Sequence, residues 1–217
     1  MNLGHTLITM LREIGGISLM YSHTPKISSS VNINAPMAFY NFSTLFTNCL
    51  ESAHTNEYTE IVIVCIGTDR STGDSLGPLV GYKLNKYSKH MSNFFVHGTL
   101  EKPVHAKNLH QCIEYIHSTY KNPFIIAIDA CLGKSDHIGY IKVNHGPLKP
   151  GTGVNKDLPS IGHMSVTGIV NLYGFMEYVV LQNTRLGLVM KIADTISEGI
   201  RHSMWKFSKT TYKEQSN

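Results

Sequence analysis

A chain of 217 residues with 19 Lys and Arg against 15 Asp and Glu has a formal charge of +4; its cations are scattered with no basic run of five or more, so nucleic acid is not implied as a partner. The length allows one good core, or one domain with an appendage. Cys49, Cys65, Cys112 and Cys131 show no CxxC spacing, which argues against a zinc cluster and a disulfide framework and points to a reducing, cytoplasmic setting.

The first twenty residues are moderately apolar, but Arg12 and Glu13 interrupt them. The apolar run falls short of spanning length, so neither a signal peptide nor a membrane partner is expected. The Ser/Asn-rich tract from Lys26 to Pro36 reads as a linker. A helix follows over Pro36–Ser52, where Phe39, Phe42, Leu45, Phe46 and Leu50 recur as on an amphipathic helix packing outside a sheet. Residues 1–57 are accordingly read as an N-terminal extension, 58–206 as an α/β domain and 207–217 as a frayed tail.

From Glu60 onward strands and helices alternate, the signature of βαβ units. Five of the six residues Ile61–Ile66 are β-branched and none is charged, as expected for a strand covered on both faces. Turn formers occupy Gly67 to Gly73, and Leu76, Leu79, Val80 and Leu84 then repeat at helical spacing over Ser75–Ser88. Asp74 therefore stands at a strand-to-helix turn. In an open α/β sheet the carboxyl ends of strands bind ligands, and a carboxylate is favoured at a helix start; an Asp there also serves as an ordinary N-cap. Both readings stand.

A short strand is expected at Asn93–His97, a helix at Ala106–Thr119 and a buried strand at Pro123–Ala130, near whose end lies Asp129. Right-handed crossovers between parallel strands would bring Asp74 and Asp129 to one rim, although an Asp ending a strand can simply turn the chain. After a strand at Gly139–His145, residues 146–159 form a long Gly/Pro-rich loop of the kind that closes over sites. It lacks the GxxxxGK[ST] and GxGxxG spacings, so no nucleotide is implied. A helix over Val166–Leu181 would place His163 just ahead of a helix, as Asp74 is. A last strand at Leu186–Met190 and a closing helix at Ile192–Lys206 complete the order. His97, His105 and His110 read as surface or packing residues, and Cys131 as a small hydrophobe with no flanking base.

The frames Gly67-Thr-Asp-Arg-Ser-Thr-Gly-Asp-Ser-Leu-Gly-Pro78, Ile125-Ile-Ala-Ile-Asp-Ala130 and Pro150-Gly-Thr-Gly-Val-Asn-Lys156 resemble the YyaC-type family of sporulation proteins. That family is related to the germination protease that degrades small acid-soluble spore proteins and, more distantly, to the maturation endopeptidases of nickel hydrogenases. The resemblance covers residues 58–206. It implies a three-layer α/β sandwich with a twisted, mostly parallel central sheet, of the phosphorylase/hydrolase-like kind. The two aspartates regarded as catalytic in the germination protease fall on Asp74 and Asp129. By analogy with the hydrogenase endopeptidases, Asp74, Asp129 and His163 would form a triad able to hold a divalent metal ion, although Asp stands where those proteins carry Glu.

The implied function is a spore-associated endopeptidase of sporulation or germination, working by a paired-aspartate site with or without a metal. The alternative is a non-catalytic peptide-binding or regulatory protein that keeps the protease fold. Gly151, Thr152, Gly153, Asn155 and Lys156 would form the substrate loop. The expected partner is a protein or peptide, small acid-soluble spore proteins first, with self-association also open. The expected location is the cytoplasm of a sporulating cell or the spore interior.

Overall fold

The uncharged run beginning at Ile61 forms a strand in the interior of a six-stranded sheet. The computed structural model describes residues 30–151 and 158–214, with side chains up to residue 208. In chain order the elements are β1 (Ser30–Asn32), α1 (Ala38–Ala53), β2 (Glu60–Cys65), α2 (Leu76–Ser88), β3 (Phe94–His97), α3 (Leu109–Thr119), β4 (Pro123–Gly133), β5 (Tyr140–His145), β6 (Met164–Leu172), α4 (Glu177–Gln182) and α5 (Leu186–Glu214). The strands lie in the order β1-β5-β6-β4-β2-β3. β6, β4, β2 and β3 run parallel, whereas β5 is antiparallel to both its neighbours.

Alternation along β2 divides the core. Ile61, Ile63 and Cys65 join a cluster with Phe42, Phe46 and Leu50 of α1, Leu76, Val80 and Leu84 of α2, and Ile192, Ile196 and Ile200 of α5. Val62 and Val64 face the other way, against Leu109 and Ile116 of α3. A strand whose successive side chains meet two different helix layers has no polar face, and the result is a three-layer α/β sandwich. The crossover through α2 runs from β2 outward to β3, and the crossover through α3 returns past β2 to β4. Right-handed connections then require α2 and α3 to lie on opposite faces, and the sheet changes winding direction between β2 and β4.

Four expectations are corrected. The stretch 166–181 is not one helix: Met164–Leu172 is the strand β6, and only Glu177–Gln182 is helical. Residues 164–170 are all buried because β6 lies between β5 and β4 and is covered on both faces, which removes the alternation that marks a half-exposed strand. Gly168 fits there because a Cβ would come within 2.4 Å of the Leu76 side chain. The strand expected at Leu186–Met190 is instead the start of α5, whose buried Val189, Ile192, Ala193, Ile196 and Ile200 form one continuous face. That helix extends to Glu214, through most of the stretch read as a tail. Finally, the tract read as a linker contributes β1, which pairs with β5 from Ser30↔Lys142 to Asn32↔Tyr140.

Candidate active site at the strand rim

Open α/β sheets bind ligands outside the carboxyl ends of their strands where the winding reverses, which here is the crevice between β2 and β4. On the β2 side the chain turns sharply into α2. Gly67 has φ +143°, and a Cβ on it would stand 2.0 Å from the Asp74 carbonyl oxygen; a Cβ on Gly77 would stand 2.0 Å from that of Ile66. Only glycines let the helix start press so closely on the strand end. The Thr68 N–H donates to the Asp74 carbonyl at 3.1 Å, and the Gly73 N–H donates to the Leu181 carbonyl at 2.8 Å. Ser75 occupies the cap position of α2, so Asp74 stands one residue ahead of it, half-buried on the crevice wall.

On the other side, β2 ends at Cys65↔Ile128, while β4 continues beside β6 as far as Gly133↔Leu172. Asp129 is the first β4 residue beyond the paired length of β2. It is 8% exposed, and its Oδ1 accepts the Ala130 N–H at 2.8 Å. Burial, reinforced by the negative charge of Asp74, holds the Asp129 carboxyl well above the ordinary Asp range, with the Ala130 N–H opposing them. Two carboxyls in one low-dielectric crevice cannot both ionise freely, so Asp129 retains a proton where an exposed aspartate would not.

Both aspartates line a cleft of about 240 Å³. Leu158, Tyr178 and Leu181 give it an apolar side, Arg70 and Lys107 bring positive charge, and Ser71 and His105 complete the wall. A larger groove of about 800 Å³ adjoins it, walled by Asn85, His97, Thr99, Glu101, Lys102 and Asn108, with His105 common to both. The smaller cleft carries the paired carboxyls. Of the expected substrate loop, Gly151 lines the cleft; Thr152, Gly153, Asn155 and Lys156 lie outside the described residues.

His163 does not join the aspartates. Because Met164 begins a strand paired with Ile126, while Asp129 pairs with Thr167, His163 precedes β6 at the amino end of the parallel strands. It is four residues short of the Asp129 level, roughly 13 Å at about 3.3 Å per residue. There its Nδ1 accepts the Ile125 N–H at 3.0 Å, and its ring stacks on Phe124 with centroids 5.3 Å apart. The expected metal triad therefore does not converge, and among the described residues no group of three or more His, Cys, Asp or Glu is placed to hold a metal ion. Two carboxyls alone do not make that donor set. Burial pushes the Cys131 thiol up, opposed by a hydrogen bond with Thr167; the thiolate is disfavoured, in keeping with a packing role.

His105, expected to be a surface or packing residue, lines the cleft instead, as do Tyr178 and Leu181, for which no role is expected from the sequence. His105 immediately precedes the helix expected at 106–119, the kind of position assigned to His163, and that was a usable signal. Tyr178 and Leu181 were hidden by the merged helix at 166–181.

Comparison with known proteins bears on the whole domain. The family described as "Protein of unknown function (DUF1256)" matches residues 30–199. The "Uncharacterized protein YyaC" of Bacillus subtilis (strain 168) is 49% identical over 181 residues, covering 83% of this chain and 86% of its own. Among solved structures, a [NiFe] hydrogenase maturation protease, HycI from Thermococcus kodakarensis KOD1, is 15% identical, covers 74% of this chain and 98% of its own, and has a TM-score of 0.45.

Proposed function

The chain belongs to the DUF1256 family and is a relative of YyaC, and on that footing we propose that its rim cleft hydrolyses peptide bonds with Asp74 and Asp129 as the working pair. The observation that carries this reading is the buried Asp129 carboxyl at the winding reversal of the sheet, its pKa raised by burial and by the charge of Asp74. A carboxylate and a carboxylic acid at one site supply a base and an acid together. Asp74 takes a proton from a water molecule, and that water's oxygen attacks the amide carbonyl carbon. The Asp129 proton goes to the carbonyl oxygen, giving a neutral gem-diol. As the C–N bond breaks, the proton held by Asp74 passes to the leaving nitrogen, and a hydroxyl proton of the diol returns to Asp129, restoring the pair.

The resemblance to sporulation proteins supports placing this activity in the cytoplasm of a sporulating cell or the spore interior. No described helix is long and apolar enough to cross a membrane. Small acid-soluble spore proteins are the first substrate class to try. The purified protein is incubated with them over about pH 5 to 8, where a carboxyl pair with one raised pKa can act, and fragments are read by mass spectrometry beside Asp74→Asn. Specific fragments from the wild type alone support the reading; none from either removes this substrate class.

A second reading, a protein that holds a polypeptide without cutting it, is favoured by one observation. Tyr173, Phe175 and Tyr178 are 60%, 92% and 63% exposed on the segment that also supplies Leu181 to the cleft, and apolar groups exposed in a row mark interaction surfaces. Persistent association of those proteins with both wild type and Asp74→Asn, without fragments, would select it.

A further inference from the structure

Among the described residues, four buried side-chain polar atoms lack a hydrogen-bond partner, on Thr47, Ser71, His105 and Glu177. Two of these, Ser71 Oγ and His105 Nδ1, belong to residues that wall the Asp74–Asp129 cleft. Leaving a buried donor or acceptor unmet costs about 1–3 kcal/mol, so each instance in a folded protein calls for a partner of some kind.

Other partly buried histidines of this fold show what a structural imidazole looks like. His163 accepts the Ile125 N–H through Nδ1, and His97 pairs its Nε2 with the Tyr120 hydroxyl at 2.9 Å. The backbone around His105 is as firmly held. Val104 forms a parallel bridge with Ile66, and the Gly67 N–H donates to the Val104 carbonyl at 2.8 Å. The His105 N–H donates to Asn108 Oδ1 at 2.8 Å, while Asn108 Nδ2 donates to the Pro103 carbonyl at 3.0 Å. The fold thus fixes where the imidazole stands and leaves Nδ1 unused. With no bond to Nδ1, no hydrogen bond through that atom sets the tautomer. His105 also lines both the cleft and the 800 Å³ groove, so a polypeptide laid from one to the other passes this residue.

We propose that His105 is a catalytic residue of this cleft, donating a hydrogen bond from its imidazole to the carbonyl oxygen of the peptide group that the aspartates attack, with the Ser71 hydroxyl as a second contact. The substrate class is a polypeptide extended from cleft to groove. This rests on the hydrolytic reading of the cleft. The carbonyl oxygen selects the tautomer with hydrogen facing it, and a donor aimed at an oxygen that gains charge during attack acts mainly on the rate.

The test compares His105→Gln and His105→Ala with His110→Ala, a control on an exposed histidine paired with Glu114, against the small acid-soluble spore proteins. Thermal unfolding of each variant separates loss of fold from loss of function. A fall in kcat of about a hundredfold in both His105 variants, with KM changed by less than about threefold, is expected, and no change for His110→Ala. A folded His105→Gln and His105→Ala with wild-type kcat would overturn the proposal. In parallel, the ring ¹⁵N resonances of His105 are followed in Asp74→Asn as unfolded β-casein is added. They should move while those of His163 stay, and unmoved His105 resonances up to the highest casein concentration would overturn the contact. If the wild type cleaves nothing, the hydrolytic reading fails on its own, and the catalytic role with it; the ring resonances then decide whether His105 meets polypeptide.

Discussion

At the amino end of β4 and β6, His163 stacks on Phe124 with centroids 5.3 Å apart, meets the tilted Tyr58 ring at 5.0 Å, and accepts the Ile125 N–H through Nδ1. At the carboxyl end of the same sheet, Asp129 is buried near a second carboxylate, and Ser71 and His105 hold polar atoms without partners among the described residues. The His163 Nδ1 is satisfied, whereas Ser71 Oγ and His105 Nδ1 have no partner among the described residues. A sheet interior can hold an imidazole as a packing residue when it is stacked and bonded; unsatisfied groups gathered at the winding reversal instead mark where chemistry is available.

The sharpest way to break this contrast is substitution of the pair itself. Asp74→Asn and Asp129→Asn should each lower kcat by about 10²–10⁴-fold, measured on the fragments described above, whereas His163→Ala should leave turnover per folded molecule unchanged. Its effect belongs to stability. With the Ile125 N–H left unpaired, His163→Ala should cost about 2 kcal/mol, seen as a Tm lower by roughly 4–8 °C.

The two ends should also respond oppositely to pH. At the amino end, burial holds His54 and His163 below 6.5, with the charge of His117 adding to the effect on His163. The unfolded chain binds more protons than the folded one between those lowered values and 6.5, so their contribution is present above 6.5 and is lost as pH falls through that window. Asp129 works in the other direction. Its folded pKa is raised, so its contribution is greatest below the ordinary value of 3.8 and is lost as pH rises through the raised one. Asp129→Asn keeps an oxygen for the Ala130 N–H and removes the cost of holding a proton on a carboxyl that is ionised in the unfolded chain at neutral pH. It should stabilise the protein at neutral pH by about 1 kcal/mol, a Tm rise of roughly 2–4 °C that shrinks towards pH 4. Urea unfolding of both variants across pH measures each limb. The smallest effect is expected at Phe175→Ser, where a side chain 92% exposed should change stability by less than about 0.5 kcal/mol.

The sequence made the carboxyl rim legible where strong local signals met. The uncharged β2 run, the glycine-rich turn and the helical repeat after it located Asp74, and the buried run ending near Asp129 located its partner. Asp74 stands one residue ahead of the cap position, which Ser75 occupies without a side-chain cap bond. The amino end was not legible for a physical reason: β6 is buried on both faces, its apolar residues match helical spacing as well as strand spacing, and the misread element carried His163 to the wrong end. The same merged helix concealed Tyr178 and Leu181. His105 was visible as a residue ahead of a helix, but that its ring nitrogen is left unbonded depends on tertiary contacts that no local pattern reports.

The central claim is that Asp129 holds a proton because it is buried beside Asp74, and carboxyl ¹³C NMR titration of Asp129 in the wild type and in Asp74→Asn measures this directly. Titration well above the ordinary Asp range in the wild type, moving down but staying raised once the Asp74 charge is removed, is the predicted result. Titration of Asp129 near 3.8 in both proteins would contradict the account and leave the rim without its acid.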